Sequence, residues 1–279
     1  MTDSATYPVL AFIGTGNMAS AIIGGLLAKG YPAERIWATA RSQDKVERMA
    51  GDWGIHTTTD NLAAVNAADL VVLAVKPQMM KSLCLSLADA VQARQPLVMS
   101  VAAGLEAATI EQWLGGDLAM VRCMPNTPSL VETGACGLFA NERVSSAQRE
   151  QAEQVMGAVG IALWLENEAQ IDNVIAVSGS GPAYYFLLME AMIAAGERQG
   201  LSREVSTQLT LQTALGAARM AQASDVDVAE LRRRVTSPGG TTEQAILRFE
   251  QGGLPALVDA AMDACAERSR EMARELGDG

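Results

Sequence analysis

Residues able to do chemistry gather in a few short clusters of small, hydroxyl and cationic side chains. The first is Gly14-Thr15-Gly16-Asn17-Met18-Ala19, a GxGxxA pattern between the apolar run Val9–Ile13 and a helical pattern over Met18–Lys29. Gly14 permits a tight turn. Gly16, without a Cβ, lets a pyrophosphate approach the backbone, and Ala19 lets the helix sit close to the strand. The helix start adds unpaired N–H groups and partial positive charge. Together these features point to dinucleotide binding.

The end of the next strand-like run should select the dinucleotide. A carboxylate there would hold a ribose 2′-hydroxyl and repel a 2′-phosphate. The chain instead reads Thr39-Ala40-Arg41-Ser42, with no acid before Asp44. Arg41 and Ser42 suit a 2′-phosphate, so NADPH is expected over NADH. Lys76, in Ala74-Val75-Lys76-Pro77, adds positive charge at the end of another buried run.

Three more clusters lie downstream. Arg122-Cys123-Met124-Pro125-Asn126-Thr127-Pro128 is a proline-fixed loop in which Asn126 can reach a nicotinamide amide or ribose, and Cys123 reads as a buried thiol. Ser178-Gly179-Ser180-Gly181-Pro182 opens a helix with small residues, and Pro182 fits its first turn. Its spacing does not complete GxSxG, which argues against a serine hydrolase. Ser237-Pro238-Gly239-Gly240-Thr241-Thr242-Glu243 starts another helix. Successive N–H groups there form a nest suited to a carboxylate, and the hydroxyls of Ser237, Thr241 and Thr242 line it without adding charge.

Composition excludes other classes. With 21 Lys+Arg against 32 Asp+Glu, the net charge of −11 and the lack of a basic run speak against nucleic acid. His56 is the single histidine, and Cys84, Cys123, Cys136 and Cys265 show no CxxC spacing, so neither a metal centre nor a disulfide framework is expected. No apolar stretch reaches the ~20 residues of a membrane helix. The N-terminus lacks signal-peptide organisation. A cytoplasmic protein is expected.

The elements that must position these clusters change character along the chain. Strand-like runs at Val9–Ile13, Arg35–Thr39, Leu70–Val75, Pro96–Val101 and Leu118–Arg122 alternate with helical patterns at Met18–Lys29, Gln43–Ala50, from Pro77 on and at Ala107–Leu114. This order predicts βαβ crossovers and a mostly parallel sheet. Ala162–Leu165 reads as a last strand. Beyond it, Pro182–Arg198, Arg203–Ala223, Val228–Val235, Thr242–Gln251 and Pro255–Leu276 are helical in period. Two domains are expected, 1–166 and 167–279, packed without a linker.

Taken in order, GTGNMA, AVKP, RCMPNTP, SGSGPAY and SPGGTT make the chain resemble the pyrroline-5-carboxylate reductases along essentially its whole length. The resemblance implies an α/β Rossmann-type N-terminal domain with a mostly parallel sheet and an all-α C-terminal dimerisation domain. It implies NAD(P)H-dependent reduction of 1-pyrroline-5-carboxylate to L-proline, the last step of proline biosynthesis, in a homodimer that assembles further, up to a decamer. It assigns Ser237, Gly239, Gly240 and Thr241 to the substrate carboxylate and Thr242 to the substrate nitrogen, as the catalytic residue. It assigns Asn61 to the adenosine ribose, and Ala74, Val75, Lys76, Pro77 and Asn126 to the cofactor. A protonated cyclic imine is already electrophilic, so positioning rather than a metal or strong acid is required. A β-hydroxyacid dehydrogenase, which uses a lysine in its helical domain, is disfavoured because no lysine lies between Gln170 and Ser237. A non-catalytic nucleotide sensor would have no reason to keep the nest at Ser237–Thr242.

Overall fold

The computed structural model describes residues 7–277. Eight strands form one sheet: β1 (Leu10–Ile13), β2 (Ile36–Thr39), β3 (His56–Thr58), β4 (Leu70–Leu73), β5 (Leu97–Ser100), β6 (Met120–Met124), β7 (Gly134–Ala140) and β8 (Gly160–Trp164). Their order is β3-β2-β1-β4-β5-β6-β7-β8. All neighbours are parallel except β6 and β7. Strands β1, β4 and β5 are buried at every position, as strands covered on both faces must be.

Side chains alternate between the two faces. Leu10 and Phe12 join one apolar cluster with Ile22, Ile23 and Leu26 of α1 (Asn17–Ala28), Met49 of α2 (Gln43–Trp53) and Val155 of α6 (Ser146–Gly157). Ala11 and Ile13 join the other with α3 (Asn61–Ala67), α4 (Pro77–Arg94) and α5 (Ala107–Trp113). Crossovers to opposite faces diverge on either side of β1, so a crevice opens at the carboxyl ends of β1 and β4.

Several local expectations needed revision. Helix α2 runs through Gly51 to Trp53 and stops at Gly54, whose φ of 66° lets its N–H close on Ala50 O. The strand expected at Leu118–Arg122 is shifted to Met120–Met124. Elements β3, α3, β7 and α6 were not anticipated. β7 reads GACGLFA, without a β-branched residue, and close packing requires its glycine: a Cβ on Gly134 would lie 2.2 Å from Ser129 Oγ.

The remaining helices are α7 (Gln170–Val174), continued by a π-turn at Ile175–Gly179, then α8 (Gly181–Arg198), α9 (Arg203–Gln222), α10 (Val228–Arg234), α11 (Thr241–Gln251) and α12 (Leu254–Gly277). The sheet's compact unit takes in the chain to Ser180 and again from Cys265, and Gly181–Ala264 form the other unit. This division differs from a cut at 166/167 for physical reasons. Ser269 Oγ donates to Asp172 Oδ1 at 2.6 Å, and Leu276 packs on the sheet's second cluster. Within the helical unit, α8 and α9 pack closely enough that a Cβ on Gly196 would meet Ser206 Oγ at 2.7 Å. Tyr185, Phe186 and Leu187 on α8 stay 64–67% exposed.

Candidate functional site

A cavity of about 680 Å³ opens at the crevice. Gly14, Thr15, Gly16, Arg41, Ser42, Asn61, Ala74, Val75 and Lys76 all line it. The glycine loop follows β1 with Gly14 at φ 85°, and a Cβ there would fall 2.6 Å from Val75 Cγ1. Gly16 is different: a Cβ there would meet no atom within 4 Å, so its missing side chain opens space into the crevice. Asn17 begins α1 and is exposed beside it. Met18 packs partly on the core and Ala19 is fully buried against it, so these two hold the helix to the sheet.

Thr39, at the end of β2, sets the loop's shape. Its Oγ1 accepts from Gly14 N at 3.0 Å, and its carbonyl accepts from Thr15 N at 3.0 Å and Thr15 Oγ1 at 2.8 Å. Lys45, in the first turn of α2, donates its ammonium to Thr15 O and also lines the cavity. Sequence reasoning missed both. Lys45 falls in the first turn of the helix expected from Gln43, which starts directly after Arg41 and Ser42; a second cation at that helix start was the available signal.

Charge in the cavity opposes that of the chain. Among the described residues, Arg41, Lys45 and Lys76 line it and no carboxylate does, in a protein of net charge −11. Asp60 lies next to Asn61 but is occupied as the N-cap of α3, accepting from Leu62 N at 2.9 Å and Ala63 N at 3.3 Å. Pro77 occupies the first turn of α4. The cavity continues along that helix past Met79 and Leu83, an apolar strip suited to a flat base.

Asn126 does not line this cavity. It is buried, donating Nδ2 to Ser178 O at 3.0 Å and accepting from Ala135 N at 2.9 Å. Cys123 is buried beside Cys136, and burial pushes its thiol well above the usual range. Burial raises Cys84 to about 12. Neither is a nucleophile at neutral pH. His56 starts β3, stacked on Trp37 at 4.8 Å, at the amino ends of the strands and away from the crevice.

The Ser237–Thr242 turn belongs to the helical unit. Gly239 adopts φ 72°, a conformation that favours glycine. A Cβ on Gly240 would fall 2.9 Å from Ser237 O, so glycine is required there for space. Gly239 N donates to Glu243 Oε2 at 2.8 Å and Gly240 N to Ser237 O at 3.0 Å. These two N–H groups of the expected nest are thus engaged within the turn. The first-turn N–H groups of Thr241, Thr242 and Glu243 are those a helix start leaves without an intrahelical partner. Ser237, Thr241 and Thr242 are exposed.

Comparison with known proteins matches two separate stretches of the chain to families. Residues 168–272 match the family described as pyrroline-5-carboxylate reductase dimerisation, and residues 9–104 match that described as NADP oxidoreductase coenzyme F420-dependent. A Pseudomonas aeruginosa pyrroline-5-carboxylate reductase is 57% identical over 97% of this chain and 98% of its own length. The structure of the Coxiella burnetii pyrroline-5-carboxylate reductase superposes with a TM-score of 0.93 at 48% identity, covering 96% of this chain and 99% of that one. A Plasmodium falciparum pyrroline carboxylate reductase with NADP bound gives 0.83 at 30% identity, covering 95% and 98%. An open crevice lined by a glycine loop, a helical unit and this similarity along nearly the whole length lead to one conclusion: the chain belongs to the pyrroline-5-carboxylate reductase family.

Proposed function

We propose that this chain reduces 1-pyrroline-5-carboxylate to L-proline with NADPH as preferred reductant, through the residues assigned below. Family membership carries the reaction. The cofactor preference rests on one observation: among the described residues that line the cavity, the charged ones are Arg41, Lys45 and Lys76, and none is a carboxylate. An anionic dinucleotide fits there, and Gly16 leaves open the space that a pyrophosphate needs. Helix α1 starts directly after Gly16, so its first-turn N–H groups add partial positive charge at that end of the crevice.

Gly14, Thr15, Gly16 and Asn17 hold the pyrophosphate, while Met18 and Ala19 seat the helix behind it. Arg41 and Ser42 bind the 2′-phosphate, with Lys45 beside them. Asn61 takes the adenosine ribose, and Ala74, Val75, Lys76 and Pro77 border the cofactor at the end of β4. When bound, NADPH supplies a hydride to the imine carbon.

The protein's own part is to anchor and orient. The turn Ser237–Thr241 holds the substrate carboxylate, chiefly through first-turn N–H groups of α11. Thr242 hydrogen-bonds the ring nitrogen, keeping the protonated C=N bond facing the hydride donor. Hydride addition to that carbon leaves the nitrogen as the secondary amine of proline, so no further acid is needed. Residues 167–279 form the substrate and dimerisation domain. Exposed Tyr185, Phe186 and Leu187 support burial against a second copy, and dimers build the larger assembly. Among the described residues no helix is long and apolar enough to cross a membrane. Cytoplasmic residence is part of the same reading, and the four cysteines, all unpaired, support it.

The test compares the two cofactors. Initial rates with pyrroline-5-carboxylate should give a lower KM for NADPH than for NADH. Arg41→Ala should raise the NADPH KM roughly tenfold or more, the loss of one charge-assisted contact, and change the NADH KM little. Equal effects on both cofactors would remove the 2′-phosphate assignment.

A further inference from the structure

Residues 170–198 follow a nearly continuous helical path that contains Pro182. Proline brings no N–H, and its ring crowds the carbonyl four residues earlier. That carbonyl belongs to Ser178. It therefore lacks the helical donor that a residue other than proline would supply at 182. The backbone responds with a π-turn at Ile175–Gly179, in which Ser180 N donates to Ile175 O at 2.8 Å. Such bulges gather at functional sites. The orphaned carbonyl is not left bare, because Asn126 Nδ2 donates to it at 3.0 Å. The other end of the same carboxamide accepts from Ala135 N on β7 at 2.9 Å. Asn126 is buried, and Gly179 packs so near Met124 that a Cβ would lie 3.1 Å from its Cε.

We infer that Asn126 is a positioning residue: its carboxamide stands in for the helix donor that Pro182 lacks and clamps the Ser178–Ser180 turn against the carboxyl end of β6. In an open α/β sheet the ligand lies over the carboxyl ends of the central strands, so this turn borders the half of the crevice beyond the glycine loop, where the nicotinamide must lie. Its consequence for turnover rests on the functional reading above. The clamp itself does not, since the hydrogen-bonded groups of Asn126, Ala135 and Ser178 all belong to the sheet unit and Pro182 follows two residues past its end at Ser180. On this view the asparagine of the RCMPNTP motif and the proline of the SGSGPAY motif form one device, although they stand 56 positions apart in sequence.

The test is a double-mutant cycle with Asn126→Ala and Pro182→Ala, because Pro182→Ala returns the missing N–H. Asn126→Ala strips the partners of both Ser178 O and Ala135 N and should lower kcat with pyrroline-5-carboxylate tenfold or more, about tenfold being the scale of each unsatisfied buried group, and leave the NADPH KM within about twofold. The double variant should recover the Ser178 share of that loss, about tenfold. Two results would overturn the inference: a double variant whose defect is the product of the single defects, or an Asn126→Ala variant with raised NADPH KM and unchanged kcat, which would mean direct cofactor contact. Thermal melting of the same four proteins gives the coupling without the reaction. If Asn126→Ala does not fold, the double variant must fold better, and its failure to do so also refutes the clamp. If the wild type does not oxidise NADPH with pyrroline-5-carboxylate, the functional reading fails while the melting cycle still decides the Asn126–Pro182 relation.

Discussion

Replacing Gly14 and Gly16 in turn by alanine separates the structural from the ligand-binding duty of one loop. At Gly16 the backbone is extended with φ −85°, and an added Cβ meets no atom within 4 Å. No strain or clash opposes Gly16→Ala, and the lost freedom of the unfolded chain should stabilise it by about 0.4–1 kcal/mol. At Gly14 the φ of 85° is left-handed and the Cβ falls 2.6 Å from Val75 Cγ1. The conformation costs about 1–2 kcal/mol. Overpacking adds about 1–3 kcal/mol, because a β-branched valine has few rotamers to escape into. Each kcal/mol moves Tm by roughly 2–4 °C in a chain of this size. Gly14→Ala should therefore melt on the order of 10 °C lower, whereas Gly16→Ala should melt at or slightly above the wild type. The order reverses for the ligand. The Gly16→Ala methyl fills the space left for the pyrophosphate, and losing one or two charge-assisted hydrogen bonds weakens NADPH about 10–100-fold. Melting curves and a fluorescence titration with NADPH measure both quantities. A Gly16→Ala variant that binds NADPH normally, or that melts as low as Gly14→Ala, would refute the assignment of that space to the cofactor.

Thr242→Ala should lower kcat while leaving NADPH binding nearly unchanged, read by steady-state rates and the same titration; equal loss of both would exclude its role at the ring nitrogen. Glu168→Ala should cost about 3 kcal/mol, seen as a fall in Tm, because Arg122 is 5% exposed in its side chain and Glu168 is its ion-pair partner at 3.1 Å. Glu168→Gln should cost less, since its carbonyl oxygen still accepts from Ala107 N, now at 2.7 Å from the carboxylate. Tyr31 is held protonated well above its ordinary range, first by burial and then by nearby Asp69 and Tyr7 against the opposing Arg35. Its Oη donates to Pro8 O at 2.6 Å. Folded Tyr31 stays neutral where the unfolded tyrosine ionises, so stability should be full below pH about 10 and decline above it. Tyr31→Phe should flatten that alkaline decline, and an unchanged profile would assign it elsewhere.

Legibility of the fold followed the range of the forces involved. Strands β1, β4 and β5 were readable because a strand buried on both faces must be apolar throughout, and Pro77 and the glycine loop mark helix starts by local geometry alone. β3 and β7 were not, since His56-Thr57-Thr58 and GACGLFA carry no such run. Their pairing is imposed by neighbours: β7 closes antiparallel on β6 and takes glycines where Ser129 and Val174 press against it. Helix α6 was missed although its capping box, Ser145 with Gln148, stands in the sequence.

The site divides in the same way. By itself the sequence determined the glycine loop, the cationic end of β2, the glycine-rich start of α11 and the family, because these depend on residue types at short spacing. Tertiary structure alone decided what those residues touch. It showed Thr39 shaping the loop and Lys45 joining Arg41 at a cavity with no carboxylate among the described residues that line it, so that local charge opposes a net charge of −11. It also set the Asn126 carboxamide between Ser178 O and Ala135 N, partners distant from it in sequence or on another strand. A hydrogen bond acts over about 3 Å, and only the folded chain sets which groups far apart in sequence come within that distance.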